Sequence, residues 1–222
     1  MARMLRGSIT ARISKFVSTI LILYCFQPFQ IASLADQKIS GDKVVGLDSL
    51  MLLVDLGRHQ EALSVYESLS PDDKRTPESV LQSARIYTGL GQLRTAKEKF
   101  VEYISLKPGD NRPYLGLGLI SGREGNFKEA ILMFEKAINI DPRSAKAYSD
   151  RGVARGAIGK TKESIKDFDK AIALNPRYAD AYRNRGIARE GLKNLSAACS
   201  DWSIAAALGQ DDPARWVKSQ CK

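Results

Sequence analysis

From residue 43 onward, short amphipathic stretches alternate with glycine and proline breaks, and their apolar positions recur at helical rather than strand spacing. Residues 145–176 show one unit. Tyr148, Gly152 and Arg155 mark one face of a first segment, and Gly159 interrupts it. Ile165, Phe168, Ala171 and Ile172 then give the i, i+3, i+7 stripe of a second, which Asn175-Pro176 closes because proline cannot continue the hydrogen-bond ladder. The pattern predicts two helices joined by a left-handed glycine turn.

The unit recurs every 34 residues. Pro108, Pro142 and Pro176 keep that step, as do Gly57, Gly91, Gly125 and Gly159. A small residue returns at Ala62, Ala96, Ala130, Ser164 and Ala198, followed four positions on by Tyr66, Phe100, Phe134, Phe168 and Trp202. Tyr114, Tyr148 and Tyr182 form another series, each followed by Gly118, Gly152 or Gly186. Coincident series without insertion signal a repeat architecture, in which each helix pair buries its apolar face on its neighbour.

These residues resemble the tetratricopeptide repeat family: aromatic, glycine, alanine, aromatic, alanine and a closing proline. The resemblance implies an all-α, right-handed superhelical solenoid. It places five helix-turn-helix repeats at 43–76, 77–110, 111–144, 145–178 and 179–212, with a capping helix at 213–222. Repeat 1 departs at Leu50 and Leu69, and Ser70-Pro71 shortens its second helix. Repeat 2 carries Tyr103 at a small position, and repeat 5 has Lys193 in place of the turn glycine.

Gly159-Lys160-Thr161 copies the end of a phosphate-binding P-loop, but the first glycine of that motif falls on Ala154 and no β-branched run precedes it. The repeat accounts for Gly159 instead.

The chain of 222 residues carries a formal net charge of +9. Four of those charges, Arg3, Arg6, Arg12 and Lys15, lie in residues 1–35, which contain no acid. Residues 143–193 hold thirteen basic groups against six acidic ones, so the remaining excess is a patch. The basic start runs into "FVSTILILYCF" (16–26), which is short for a membrane span and suited to a signal-peptide core. Residues 1–35 therefore read as an export signal ending at Ser33-Leu34-Ala35. An uncleaved anchor through residues 16–34 and an organelle transit peptide are the alternatives, and residues 36–42 form a linker. Export places the repeats in a periplasm or thylakoid lumen, or anchored to a membrane and facing the same side.

Removing Cys25 with the signal leaves Cys199 and Cys221, equidistant from the turn at 208–213 and so placed to meet in an antiparallel helix pair. A disulfide is expected, with two reduced thiols or a metal pair as alternatives; two thiols without histidine make a poor zinc site. The stretch "AACSDWSIAAALG…C" also resembles the last repeat of exported bacterial proteins of this family. Arg151 with Asp167, and Arg185 with Asp201, occupy equivalent positions and read as ion pairs bracing two helices, with a functional carboxylate as the other reading. His59 has no partner cluster for catalysis and reads as an exposed turn residue. Asn194-Leu195-Ser196 is a glycosylation sequon, meaningful only in a eukaryotic secretory route.

No constellation for catalysis, metal or cofactor is present in this reading. What the resemblance implies is a concave groove lined by the first helix of each pair. Its positions fall on Arg112, Leu115, Leu119, Arg123, Lys146, Ser149, Val153, Arg183, Ile187 and Glu190. Their mixed apolar and basic character predicts a protein or peptide partner with acidic residues. The lysine and asparagine of the family's chaperone-binding version are replaced by Leu47 and Met51, which excludes that ligand. The function expected is a non-enzymatic interaction scaffold outside the cytoplasm, serving the assembly of a membrane-associated complex. RNA binding through the 143–193 patch and self-association are the alternatives. Nucleic acid is the weaker of these, because groove positions Lys146/Ser149/Val153 and Asp180/Arg183/Ile187 carry no recurring code.

Overall fold

The computed structural model describes residues 46–221. The signal or anchor at 1–35, the linker at 36–42 and Cys25 lie outside the described residues.

Twelve helices make up the described chain, and no strand occurs among them. They pair in order: α1 Leu47–Asp55 with α2 His59–Ser68, α4 Pro77–Gly89 with α5 Leu93–Leu106, and α6 Arg112–Arg123 with α7 Phe127–Ile140. α8 Ala145–Ala157 with α9 Thr161–Leu174 and α10 Ala179–Gly191 with α11 Leu195–Ala207 follow, and α12 Asp211–Gln220 closes the array. A single turn, α3 Pro71–Lys74, is inserted where Pro71 ends the run of α2. The second helices start at residues 59, 93, 127, 161 and 195, one period apart.

Caps fix the helix starts. Thr76 accepts a hydrogen bond from the Ser79 amide with Pro77 in the first turn, and Ser144 accepts one from the Ala147 amide. The turn after α8 is a left-handed cap: Gly159 has φ +79°, its N–H donates to the Gly156 carbonyl, and Lys160 N–H donates to that of Arg155. Lys193 holds the same place after α10 with φ +62°, the one non-glycine residue at positive φ among the described residues.

Each helix packs on the one before and the one after it, and first helices of adjacent repeats also touch one another. That closer approach puts the first helices on the inner side of the stack. In repeats 3 to 5 the core between the two helices of a pair is an aromatic ring laid on a glycine, where repeats 1 and 2 have Leu50 and Ala84. A Cβ at Gly118 would stand 2.5 Å from Phe134, and one at Gly152 would stand 2.8 Å from Phe168. Phe134, Phe168 and Trp202 are each at most 2% exposed.

Repeat 2 reaches the same density by an exchange. Val80 stands where later repeats have Tyr114, Tyr148 and Tyr182, while Tyr103 stands where they have Ala137, Ala171 and Ala205. Val80 and Tyr103 share one buried cluster. The Tyr103 hydroxyl donates to Asp110 at 2.7 Å and accepts from Arg112 at 2.7 Å. Burial and the Asp110 bond push its pKa up to about 12.

Two sequence readings need correction. α12 begins at Asp211, two residues before the expected cap, and it is the first helix of an incomplete sixth repeat. Trp216 lies 34 residues after Tyr182 and meets Trp202 edge-on at 5.1 Å between centroids. His59, expected at an exposed turn, is partly buried against α4: a Cβ at Gly89 would sit 2.1 Å from its ring, and its Nδ1 is buried without a hydrogen-bond partner.

The two turn residues predict opposite outcomes in urea denaturation. Gly159→Ala forces a Cβ into the left-handed region and is expected to cost about 1 kcal/mol. Lys193→Gly relieves that strain and is expected to raise the midpoint, by less than about 1 kcal/mol because glycine loses more chain entropy on folding.

Candidate interaction groove

The inner side is lined by apolar residues one repeat apart. Leu119 on α6, Val153 on α8 and Ile187 on α10 are 38%, 47% and 44% exposed. Between them the surface sinks into two cavities. The first, about 260 Å³, lies between α6 and α8 and is walled by Leu119 and Val153 over Gly118, Gly122 and Phe134. The second, about 380 Å³, lies between α8 and α10 and is walled by Val153 and Ile187 over Gly152, Gly156 and Phe168. Each of these walling and floor residues of the second stands 34 positions after one of the first, and Val153 belongs to both. The glycines make the cavities possible: they admit the ring beneath and leave no side chain above it. A charged Asp150 edges the first cavity, and the neutral Asn184 edges the second.

The polar groove residues differ from the sequence reading. Ser149 is only 2% exposed and is part of the packing rather than the lining. Leu115 is half-buried in the core beneath the groove. Arg112 is engaged by Asp110 at 2.8 Å, Glu78 at 3.3 Å and the Tyr103 hydroxyl. Arg123 donates to the Thr88 carbonyl at 3.0 Å. Lys146 pairs with Asp150 at 3.2 Å. Burial raises the Asp150 pKa, with Lys146 pulling the other way. For Lys146, burial works downward but Asp150, Tyr178 and Asp180 carry the net shift upward. Arg183 is half-buried, has no ion-pair partner among the described residues, and keeps its Nε buried without a hydrogen bond. Glu190 is exposed at the rim. Internal acids thus offset two of the four groove cations, Arg112 and Lys146, beside a continuous apolar stripe.

The arginine–aspartate positions form larger networks than the pairs read from sequence. Arg151 grips Asp167 with two bonds of 3.1 and 2.7 Å, and Arg155 adds a third at 2.9 Å. Glu135 of α7 lies 3.3 Å from Arg155 and 3.7 Å from Arg151. One repeat later Arg185 holds Asp201 at 3.0 and 2.6 Å, Arg189 adds 2.8 Å, and Asp169 takes the place of Glu135 at 2.6 Å from Arg185. Each network ties two helices of one repeat to the second helix of the repeat before. Asp167 and Asp201 are 3% and 1% exposed with both oxygens engaged, which leaves no face for a substrate. Arg155, Arg189, Glu135 and Asp169 were missed in sequence, although they too recur at 34 residues.

Cys199 and Cys221 bring their sulfurs to disulfide distance, 1.94 Å, with Cα atoms 5.7 Å apart, between α11 and the end of α12. Asn194 caps α11 by accepting from the Ala197 amide. No helix among the described residues is long and apolar enough to cross a membrane, and no group of ligating side chains fit for a metal occurs among them.

Comparison with known proteins agrees with this geometry. Residues 112–144 match a family model described as tetratricopeptide repeat, and residues 157–192 match one described as TPR repeat. Among solved structures, TTC0263, a thermophilic TPR protein of Thermus thermophilus, is similar at TM-score 0.67 and 20% identity, over 78% of this chain and 95% of that one. A crystal structure of MamA is similar at TM-score 0.59 and 22% identity, over 73% and 95% of the two chains. MamA of Desulfovibrio magneticus RS-1 gives TM-score 0.60 at 20% identity, over 74% and 94%. Likeness at this identity speaks for the fold. Comparison with curated proteins gave no match.

The two network acids separate buried from exposed pairing. Asp167→Ala leaves two arginines facing an empty buried site and is expected to cost about 3 kcal/mol. Asp169→Ala, at a side chain 50% exposed, is expected to cost less than about 1 kcal/mol. Chemical denaturation of both variants measures the difference.

Proposed function

The chain belongs to the tetratricopeptide-repeat proteins, a family of protein–protein interaction scaffolds, and from that premise we propose that it holds a partner segment by two apolar side chains seated in the twin cavities of its inner face. The observation that carries this reading is the 34-residue recurrence of the two cavities, joined at Val153. Adjacent packed helices stand about 8–10 Å apart. Side chains three residues apart in a polyproline II segment, which has three residues per turn and rises about 3.1 Å per residue, lie on one face and span the same distance. So do residues two turns apart in a helix. The partner is therefore a segment with an apolar pair at one of those spacings. Acidic residues in it add binding beside Arg123 and Arg183, the groove cations left without an internal acid. The groove is ordered by the arginine networks before anything binds, so association loses little conformational entropy.

The same reading sets the protein outside the cytoplasm, delivered by residues 1–35 and contributing to assembly of a membrane-associated complex. The basic opening followed by an eleven-residue apolar run supports export. An oxidising compartment is also the setting in which the Cys199–Cys221 pair closes. RNA binding in the groove gains little support, because Arg151, Arg155, Arg185 and Arg189 are spent on Asp167 and Asp201 and Arg183 alone remains on those helices.

Peptides selected from a displayed library on the full chain are expected to carry the apolar pair, and Val153→Asp is expected to weaken them by about tenfold or more by charging both cavities. Glu190→Ala, at the rim, leaves binding unchanged. Selection of purely acidic peptides with no apolar pair sinks the proposal. For the cap, Cys221→Ser is expected to lower stability by about 3 kcal/mol relative to the oxidised chain, and no loss under oxidising conditions means the thiols stay free.

A further inference from the structure

The excess charge of residues 143–193 resolves into two populations. Arginines 151, 155, 185 and 189 point into buried networks and are neutralised there. The lysines remain. On α9, Lys162, Lys166 and Lys170 are exposed and recur every four residues, which puts them on one outward stripe. On α7 the same register holds Lys128, Leu132 and Lys136, with Leu132 56% exposed. None of these five lysines has a carboxylate within ion-pair distance among the described residues. Lys136 and Lys170 only lie over Tyr114 and Tyr148, at 5.9 and 6.0 Å from the ring centres. Two exposed acids, Glu129 and Glu163, flank the stripe without pairing to it. The other second helices lack it: the register holds Arg94, Glu98 and Glu102 on α5, and Ser196, Ser200 and Ile204 on α11.

We propose that the outward stripe of repeats 3 and 4, Lys128, Lys136, Lys162, Lys166 and Lys170 around Leu132, is a docking surface for an anionic lipid bilayer. Flexible ammonium groups spread over two helices suit a sheet of mobile headgroup phosphates; a single shaped anion would call for an arginine fork. Leu132, set between two lysines, gives the apolar contact that an interfacial surface buries while its cations stay at headgroup level. Where residues 16–34 stay in place as an anchor, their apolar run 16–26 favours the same occupant. Docking through the outer face leaves the inner groove facing away from the lipid, so this inference stands independently of the groove reading.

The test uses the full chain and sucrose-loaded vesicles, either of phosphatidylcholine alone or with phosphatidylglycerol mixed in. The quantity read is the ratio of partitioning onto anionic and neutral vesicles. The apolar run at 16–26 acts on both, whereas the lysines act on the anionic ones alone. The expected result is a ratio well above one that falls about tenfold or more in the variant Lys162→Glu/Lys166→Glu/Lys170→Glu, and falls likewise in the wild type at high salt. Unchanged circular dichroism shows that the variant is folded. A ratio near one in the wild type, or a ratio that the triple reversal leaves intact, overturns the proposal. Removal of bound protein from anionic vesicles by stoichiometric single-stranded RNA overturns it in favour of a nucleic-acid surface.

Discussion

Everything in this array hangs on an aromatic ring laid against a glycine of the helix it faces. Phe134 on Gly118, Phe168 on Gly152 and Trp202 on Gly186 bring the two helices of a pair to backbone contact, and a single methyl group at the glycine would push them apart. Beside that contact, first helices of adjacent complete repeats touch one another. The cavities follow from the same contact. Each is the hollow above a ring that fills the pair from below, opened to solvent by the further glycines Gly122 and Gly156.

Much of this was legible in the residues alone. A spacing constraint on a backbone leaves a strict mark, so the 34-residue series of glycines, aromatics and prolines disclosed the repeats and showed Gly159 to be a turn. What escaped notice obeyed the period but not the residue type. Trp216 continues the tyrosine series as a different aromatic in a helix that never completes its pair. Val80 and Tyr103 exchange volumes across a pair, which looks like two defects until the side chains are seen in one cluster. The charge of the groove was the least legible. Arg112 and Lys146 occupy lining positions, but their partners Asp110, Glu78 and Asp150 were not among the residues read from the sequence, although Glu78 stands one period before Arg112. Whether a cation is free depends on side-chain reach rather than on register. His59 was misread for a related reason: the turn it starts is exposed, while its ring folds back over Gly89.

The two sides of the array divide the basic residues by type. Arginine, whose fork satisfies a carboxylate at two points, is drawn into the interior of repeats 4 and 5, where each guanidinium ties helices together. The lysines of the outward stripe on α7 and α9 keep their charge unspent, whereas Lys146 on the inner side is paired with Asp150.

The half-repeat at the C-terminus has a bearing on how the array comes apart. In a linear stack each unit leans on its neighbours, so loss of order starts at whichever end is held least. α12 lays Trp216 against Trp202 and seals the last complete pair, whereas α2, cut to ten residues by Pro71, gives the opposite end a shorter seam. The protein therefore has a direction. Two tryptophans close its last pair, whereas the second helix of its first pair is four residues shorter than those of the three repeats that follow.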